Sequence, residues 1–106
     1  METTFKAAAD KHGAEIEIIS TRAYNAYKIA DENSHVASIK EAFESINISP
    51  FTKSTGGGSD ANVFNEKGLT TVNLSTGMAK VHTTEEFIKV SDMVDITRFI
   101  AAYLTR

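Results

Sequence analysis

The sequence has 106 residues, of which 42% are hydrophobic and 24% are charged, which indicates one soluble globular domain or part of one and argues against disorder. Eleven Lys and Arg residues against fourteen Asp and Glu residues give a net charge of -3, which argues against a binder of duplex nucleic acid. The chain has no cysteine, and therefore no disulfide bond or thiolate metal ligand, and it has no apolar run near the ~20 residues of a membrane span.

The first thirty residues predict a helix followed by a long extended segment. Residues 1–4 lack the basic start and apolar centre of a signal peptide, so a cytoplasmic location is expected. A helix is predicted over residues 4–12, ended by Gly13. Residues 14–21 alternate apolar and acidic side chains, as in a strand with one face in water, and the aromatic residues of 22–29 favour its continuation.

The centre of the chain predicts a helix and a short strand. Apolar residues at spacings of three and four predict an amphipathic helix over residues 34–46. Asn33 or Ser34 can cap its N-terminus, because a side-chain oxygen there accepts from the free backbone N–H groups. Pro50 blocks continuation of the helix, and residues 51–55 can form a short strand.

The C-terminal half predicts two more helices around one buried strand. A short helix is expected over residues 61–67, and the β-branched residues of 69–74 indicate the strand. A loop follows over residues 75–86, and the last helix is expected to start with Ser91 as its N-cap. Its predicted buried stripe consists of Met93, Ile96, Ile100 and Tyr103. The resulting order, α-β-α-β-α-β-α, predicts the α/β class, with a layered sheet flanked by helices.

Three consecutive glycines, residues 56–58, form the most unusual stretch of the sequence. A glycine-rich turn between a strand and a helix allows backbone N–H groups to converge on an anion. Neither the phosphate-binding P-loop pattern nor the spaced glycines of a dinucleotide site is present. The stretch is therefore either a tight turn that needs positive φ angles or a cradle for a ligand.

His82 is the candidate metal ligand, because it follows a predicted buried strand and neutral imidazole commonly binds zinc. The ordinary alternative is a solvated loop histidine. The other histidines, His12 and His35, lie on separate elements, and no His-Glu-x-x-His pattern occurs. The local motifs do not assemble a complete metal site, and Ser59 and Asp60 with His82 lack the features of a catalytic triad.

Residues 56–74, followed by 77–78 and 81–86, closely resemble the C-terminal part of peptidase T-like proteins, which belong to the co-catalytic zinc aminopeptidase and carboxypeptidase family. A weaker similarity extends through residues 22–28. In that family a lid or dimerisation domain interrupts the catalytic domain.

The resemblance implies that residues 1–28 are the closing helix and strand of the lid. It implies that residues 29–106 are the C-terminal part of the catalytic domain, so that the predicted sheet is a fragment of a larger split domain.

The resemblance also implies roles for individual residues. His82 matches the family's last zinc ligand. The positions that match the substrate pocket are Gly57, Gly58, Ser59 and Asn62. Asp60 is expected to brace the loop. No catalytic residue is assigned, because the family's general base and its other metal ligands lie upstream of the lid. The family's Glu-Glu pair is among them, whereas Glu85–Glu86 follows the last ligand, so the base role is not transferred to it.

The implied activity is hydrolysis of short peptides by a tripeptidase-like aminopeptidase that carries two zinc ions. The isolated chain is expected to be inactive and to bind zinc weakly, because one imidazole cannot hold the ion. The expected partners are the peptide substrate and further copies of the chain, with no nucleic acid or membrane. Two alternatives remain open, namely a non-catalytic oligomerising module derived from the same fold and a small anion-binding protein.

Overall fold

A computed structural model describes residues 1–105, and all four predicted helices are present in it. Their bounds are α1 (Glu2–Lys11), α2 (Ser34–Ser45), α3 (Asp60–Glu66) and α4 (Val90–Leu104). The boundaries lie close to the predicted ones because the capping and stop signals are local in sequence. Within residues 1–105, none of the helices has the length and apolar character needed to cross a membrane.

The predicted layered α/β sheet is wrong for this chain. Among residues 1–105 the only β pairing is an isolated antiparallel bridge between Ala79 and Phe87. The three predicted strands, residues 14–21 with their continuation through 22–29, 51–55 and 69–74, are not hydrogen-bonded into a sheet. The alternating and β-branched patterns describe side chains that suit a strand, whereas a sheet also needs a neighbouring backbone to bond with.

Three helices end in the same backbone arrangement, in which a residue with positive φ reverses the chain. These residues are Gly13, Asn47 and Gly68, with φ values of 64°, 63° and 85°. After α3, for example, the Leu69 N–H donates to the Phe64 carbonyl at 2.9 Å. This closing bond is the Schellman motif, and it directs the chain sharply away from the helix axis.

The N-terminal ends of α2 and α4 differ. Of the two predicted candidates, Asn33 and not Ser34 caps α2, since the Asn33 Oδ1 accepts from the backbone N–H of His35 at 2.9 Å. The prediction that Ser91 caps α4 is wrong, because Lys89 occupies the N-cap position and makes no side-chain capping bond. Helix α4 is therefore held by packing instead of by its cap.

The core lies between α2 and α4. Phe99 is 2% exposed and stacks on Phe43, with ring centroids 3.9 Å apart and an angle of 14° between the ring planes. Tyr103 also stacks on Phe99, with ring centroids 5.7 Å apart. The predicted stripe of α4 is only partly right, because Met93 and Ile100 are 49% and 48% exposed. The buried face of α4 is therefore centred on Phe99, which the predicted stripe did not include.

Asp31 joins the start of α2 to the extended segment that follows it. Its Oδ2 accepts from the Thr52 hydroxyl at 3.2 Å and lies 3.2 Å from the Lys40 ammonium. The hydrogen bond from Thr52, followed by that from Lys40, lowers the pKa of Asp31 below its ordinary value. These exposed contacts orient residues 51–55 on their way to the glycine loop.

The molecule is elongated. Its radius of gyration is 20.2 Å and its principal dimensions are 64 × 36 × 17 Å. A compact domain of this length would have a radius of gyration of about 13 Å. The extended segments that lack a partner strand account for the difference.

Candidate functional site

The glycine loop does not use the positive φ angles expected from its sequence. Within the described residues, the glycines with positive φ are Gly13, Gly68 and Gly77, all outside the loop. What makes Gly58 special is space, because a Cβ on it would lie 2.6 Å from Cε1 of the Tyr24 ring. The absence of a side chain at position 58 therefore allows the residue 22–27 segment to approach the loop.

Ser59 and Asn62 fix the junction between the loop and α3. The Ser59 hydroxyl accepts from the Ala61 N–H at 3.3 Å, and the Ser59 N–H donates to Asn62 Oδ1 at 3.0 Å. The Ser59 side chain also accepts from the backbone N–H of Asn62, so Ser59 and Asn62 form a capping box, which satisfies backbone donors that the first turn of a helix leaves free. Asn62 is 7% exposed, so its amide is directed into the fold.

Residues from the extended segment 22–27 complete this junction. Asn62 Nδ2 donates to the backbone carbonyl of Asn25 at 2.8 Å. The side chain of Asn25 in turn donates to Glu66 Oε1 at 2.7 Å and accepts from Arg22 at 2.9 Å. Both the first and the last turn of α3 are therefore attached to this segment.

The segment after α3 returns to the same place. Asn65 holds its start, because the Asn65 amide bonds the Thr71 N–H at 3.1 Å and the Thr71 carbonyl at 2.8 Å. Two residues later, Asn73 Nδ2 donates to Ser59 Oγ at 2.8 Å and to the Tyr27 hydroxyl at 3.4 Å. Hydrogen bonds thus join three stretches of the chain around α3, namely residues 22–27, 59–66 and 71–73.

His82 lies in a second loop, closed by the Ala79–Phe87 bridge. The two backbone hydrogen bonds of this bridge are 2.9 and 3.2 Å long. Within the loop, the Thr83 hydroxyl donates to the Lys80 carbonyl at 2.7 Å. His82 has a φ of 66°, a strained conformation for a residue with a side chain, and its backbone N–H donates to Glu86 Oε2 at 3.3 Å.

The residues around His82 do not by themselves form a zinc site. The His82 side chain is exposed, and Glu86 bonds the backbone and not the imidazole. The other acid of the pair, Glu85, is engaged by the Lys80 ammonium at 2.8 Å. Within residues 1–105, no group of three or more His, Asp or Glu side chains could hold a metal ion. A zinc ion needs about four donors, so this donor set does not fit a self-contained site.

The structure brings together Gly58, Ser59 and Asn62, whereas His82 stands on a separate loop with no hydrogen bond to them among the described residues. Their roles in binding stay predictions. Sequence reasoning missed Tyr24 and Asn73 as partners of the glycine loop. Asn73 carried a signal, because asparagine is depleted in strands and this one interrupts a β-branched run.

Comparisons with known proteins found a matching family and similar proteins in two Bacillus species. The sequence profile of "Peptidase family M20/M25/M40" matches residues 4–106. The protein YqjE of Bacillus subtilis (strain 168) is 31% identical over 104 residues, which is 98% of this chain and 28% of that protein. The crystal structure of aminopeptidase PepT from Bacillus cereus ATCC 10987 is similar with a TM-score of 0.71 and 39% identity, over 76% of this chain and 21% of that one. The chain thus spans between a fifth and a third of the length of these relatives.

Proposed function

The chain belongs to peptidase family M20/M25/M40, and from this premise we propose that it is the C-terminal portion of a zinc-dependent, tripeptidase-like aminopeptidase that hydrolyses short peptides. The observation that supports this most strongly is the similarity in both sequence and fold to an aminopeptidase of Bacillus cereus. Because the chain covers 21% of that enzyme, the remaining parts of an active site have to come from elsewhere.

Within this proposal, residues 1–28 derive from the lid and residues 29–106 from the catalytic domain. The substrate-binding positions are Gly57, Gly58, Ser59 and Asn62. The exposure of Gly57, Gly58 and Ser59 supports a role in contacting the peptide. The buried amide of Asn62 supports a role in shaping the loop.

His82 is proposed as one metal ligand of the assembled enzyme. The family is generally metal-dependent, and the exposed imidazole on a tightly closed loop supports the assignment. Residues with side chains and positive φ cluster at functional positions, so the φ of 66° at His82 supports the assignment further. Zinc as the metal, two ions as the number and a cytoplasmic homo-oligomer as the setting belong to the same proposal.

A chimera tests this function. The corresponding segment of the Bacillus cereus aminopeptidase is replaced by this chain, and release of the N-terminal residue from tripeptides is measured with added zinc. The chimera is expected to be active and His82→Ala to abolish activity. His35→Ala is the matched control, since His35 is also an exposed histidine. Equal activity of the two variants would exclude His82 as a ligand.

A second candidate, a non-catalytic oligomerising module, is favoured by the exposed apolar surface. Ile19 in the extended segment is 84% exposed, and Val90 and Leu104 at the two ends of α4 are 75% and 74% exposed. Exposed apolar side chains beside extended segments with no partner strand can become covered by association. If the chimera is inactive while the chain alone forms a defined oligomer, this candidate replaces the first.

A further inference from the structure

The hydroxyl of Ser59 has both of its acceptor positions occupied. The Ala61 N–H donates to it at 3.3 Å, and Asn73 Nδ2 donates to it at 2.8 Å. A serine hydroxyl offers two lone pairs and a single hydrogen. Because both lone pairs are used, the hydroxyl can add only one more hydrogen bond, in which it is the donor.

This hydrogen is available to a ligand. Ser59 is exposed, and none of the hydrogen bonds found in residues 1–105 uses its hydroxyl as a donor. A ligand that bonds it must present an acceptor oxygen, such as a peptide carbonyl or a carboxylate. A protonated amine has only N–H donors, which would face the O–H of Ser59, so its binding there would be disfavoured.

We propose that Asn73 is a positioning residue that holds the Ser59 hydroxyl as a hydrogen-bond donor to an acceptor oxygen of the bound peptide. The inference deepens the proposed function, on which it rests for the identity of the ligand. Asn73 itself is held in place, because its Nδ2 also donates to the Tyr27 hydroxyl at 3.4 Å. The Tyr24 ring lies against Gly58 of the same loop.

The test of the Asn73–Ser59 contact uses the 106-residue chain without any ligand. In Asn73→Asp the new carboxylate can only accept, so the Ser59 hydroxyl turns and donates to it. A hydrogen bond to the charged form stabilises that form. We expect the carboxylate at position 73 to bind a proton roughly fivefold more weakly than in the Asn73→Asp, Ser59→Ala double variant, as one hydrogen bond of ordinary strength would give.

The proton affinity is measured by NMR titration of the new carboxylate, with α2 amide signals showing that the fold is retained. Thr70→Asp is the matched control on the same extended segment, and removal of the Ser59 hydroxyl should leave its titration unchanged. Equal proton affinities of the carboxylate at position 73 with and without the Ser59 hydroxyl would overturn the proposal.

The ligand part of the proposal is tested in the active chimera. Asn73→Ala leaves the Ser59 hydroxyl free to rotate, and KM for tripeptides is expected to rise about fivefold, equivalent to one hydrogen bond. Asn73→Asp is nearly isosteric but draws the hydrogen away from the peptide, so KM should rise further than in Asn73→Ala. A purely structural role predicts the opposite order, because the isosteric variant disturbs the packing less.

The double variants complete this test. In the Ser59→Ala background, neither substitution at position 73 should raise KM further. Additive effects, or a smaller effect of Asn73→Asp than of Asn73→Ala, would contradict the proposal. An inactive wild-type chimera would contradict the proposed function instead, and the NMR comparison would still decide whether Asn73 controls the Ser59 hydroxyl.

Discussion

Gly58 is the residue at which the glycine loop meets the 22–27 segment. The Tyr24 ring occupies the place where any side chain at position 58 would lie. Gly56, two residues earlier, has open space around it. Two glycines of the same motif therefore have different physical requirements, although the sequence makes them look equivalent.

This difference predicts opposite effects of two similar substitutions. Gly58→Ala has to displace the Tyr24 ring, and we expect it to lower the free energy of unfolding by about 1 kcal/mol. Gly56→Ala should leave stability unchanged or raise it by up to about 1 kcal/mol, because alanine restricts the unfolded chain. Urea unfolding of the two variants measures the difference, and ring signals of Tyr24 should shift only in Gly58→Ala. Equal stabilities would show that the ring does not press on the loop.

Substitutions at Asn62 and Asp60 test whether hydrogen bonds or charge stabilise the junction of the glycine loop and α3. Asn62→Ala removes the bonds to Ser59 and Asn25 from a residue that is 7% exposed, and it should cost about 1–3 kcal/mol. Asp60 is exposed in the first turn of α3, so Asp60→Ala should cost about 0.3–1 kcal/mol through the helix dipole alone. Chemical denaturation compares them. A larger loss for Asp60→Ala would confirm the expectation that its carboxylate braces the loop.

At the scale of the elements, the helices could be predicted from the sequence and the sheet could not. The two ends of α2 follow from Asn33 at its start and Asn47 after its last turn, because each acts on its own neighbours. Pairing of residues 14–21 or 69–74 depends on strands that the local pattern does not specify. Within the candidate site, the capping box of Ser59 could be predicted in the same local way, whereas its contact with Asn73 spans 14 residues and could not.

The α2–α4 contact is expected to depend on one ring. Phe99 is 2% exposed and stacks on Phe43, so Phe99→Ala leaves a cavity and should cost about 3–5 kcal/mol. Ile100 is the matched control, since it is adjacent on α4 and 48% exposed. Loss of helical signal on heating should occur at a much lower temperature in Phe99→Ala than in Ile100→Ala. Similar transitions in the two variants would place the core elsewhere.

The start of α4 packs against a turn that requires glycine. Gly77 has a φ of 89°, and a Cβ there would lie 2.7 Å from Cβ of Asp92. Gly68 has a φ of 85° with nothing nearby, so it experiences the same backbone strain without the contact. Both Gly→Ala variants should lose about 1 kcal/mol from the strained backbone, and Gly77→Ala about 1–3 kcal/mol more from overpacking. Equal losses in urea unfolding would show that Asp92 adjusts without cost.

At the scale of the whole molecule, the surface is larger than a folded chain of this mass normally exposes. The accessible area is 8822 Å², compared with about 5,800 Å² for a folded monomer of 11.5 kDa. The excess comes from the extended segments, whose unpaired backbone groups and apolar side chains are open to solvent. Such edges can pair with another strand, including one from a second copy of the chain.

The chain is therefore expected to be expanded when dilute and to associate as its concentration rises. Small-angle scattering at low concentration should give a radius of gyration near 20.2 Å, because no sheet closes the extended segments. Ile19 is 84% exposed in the alternating segment, so Ile19→Lys should weaken association through that edge by charge repulsion. Val90 is 75% exposed on α4, and Val90→Lys should leave association unchanged if residues 14–21 form the contact. A monomer with a radius of gyration near the ~13 Å of a compact domain would contradict the open architecture. In such a monomer the extended segments would have to pair with each other, and their backbone groups would no longer be available for association.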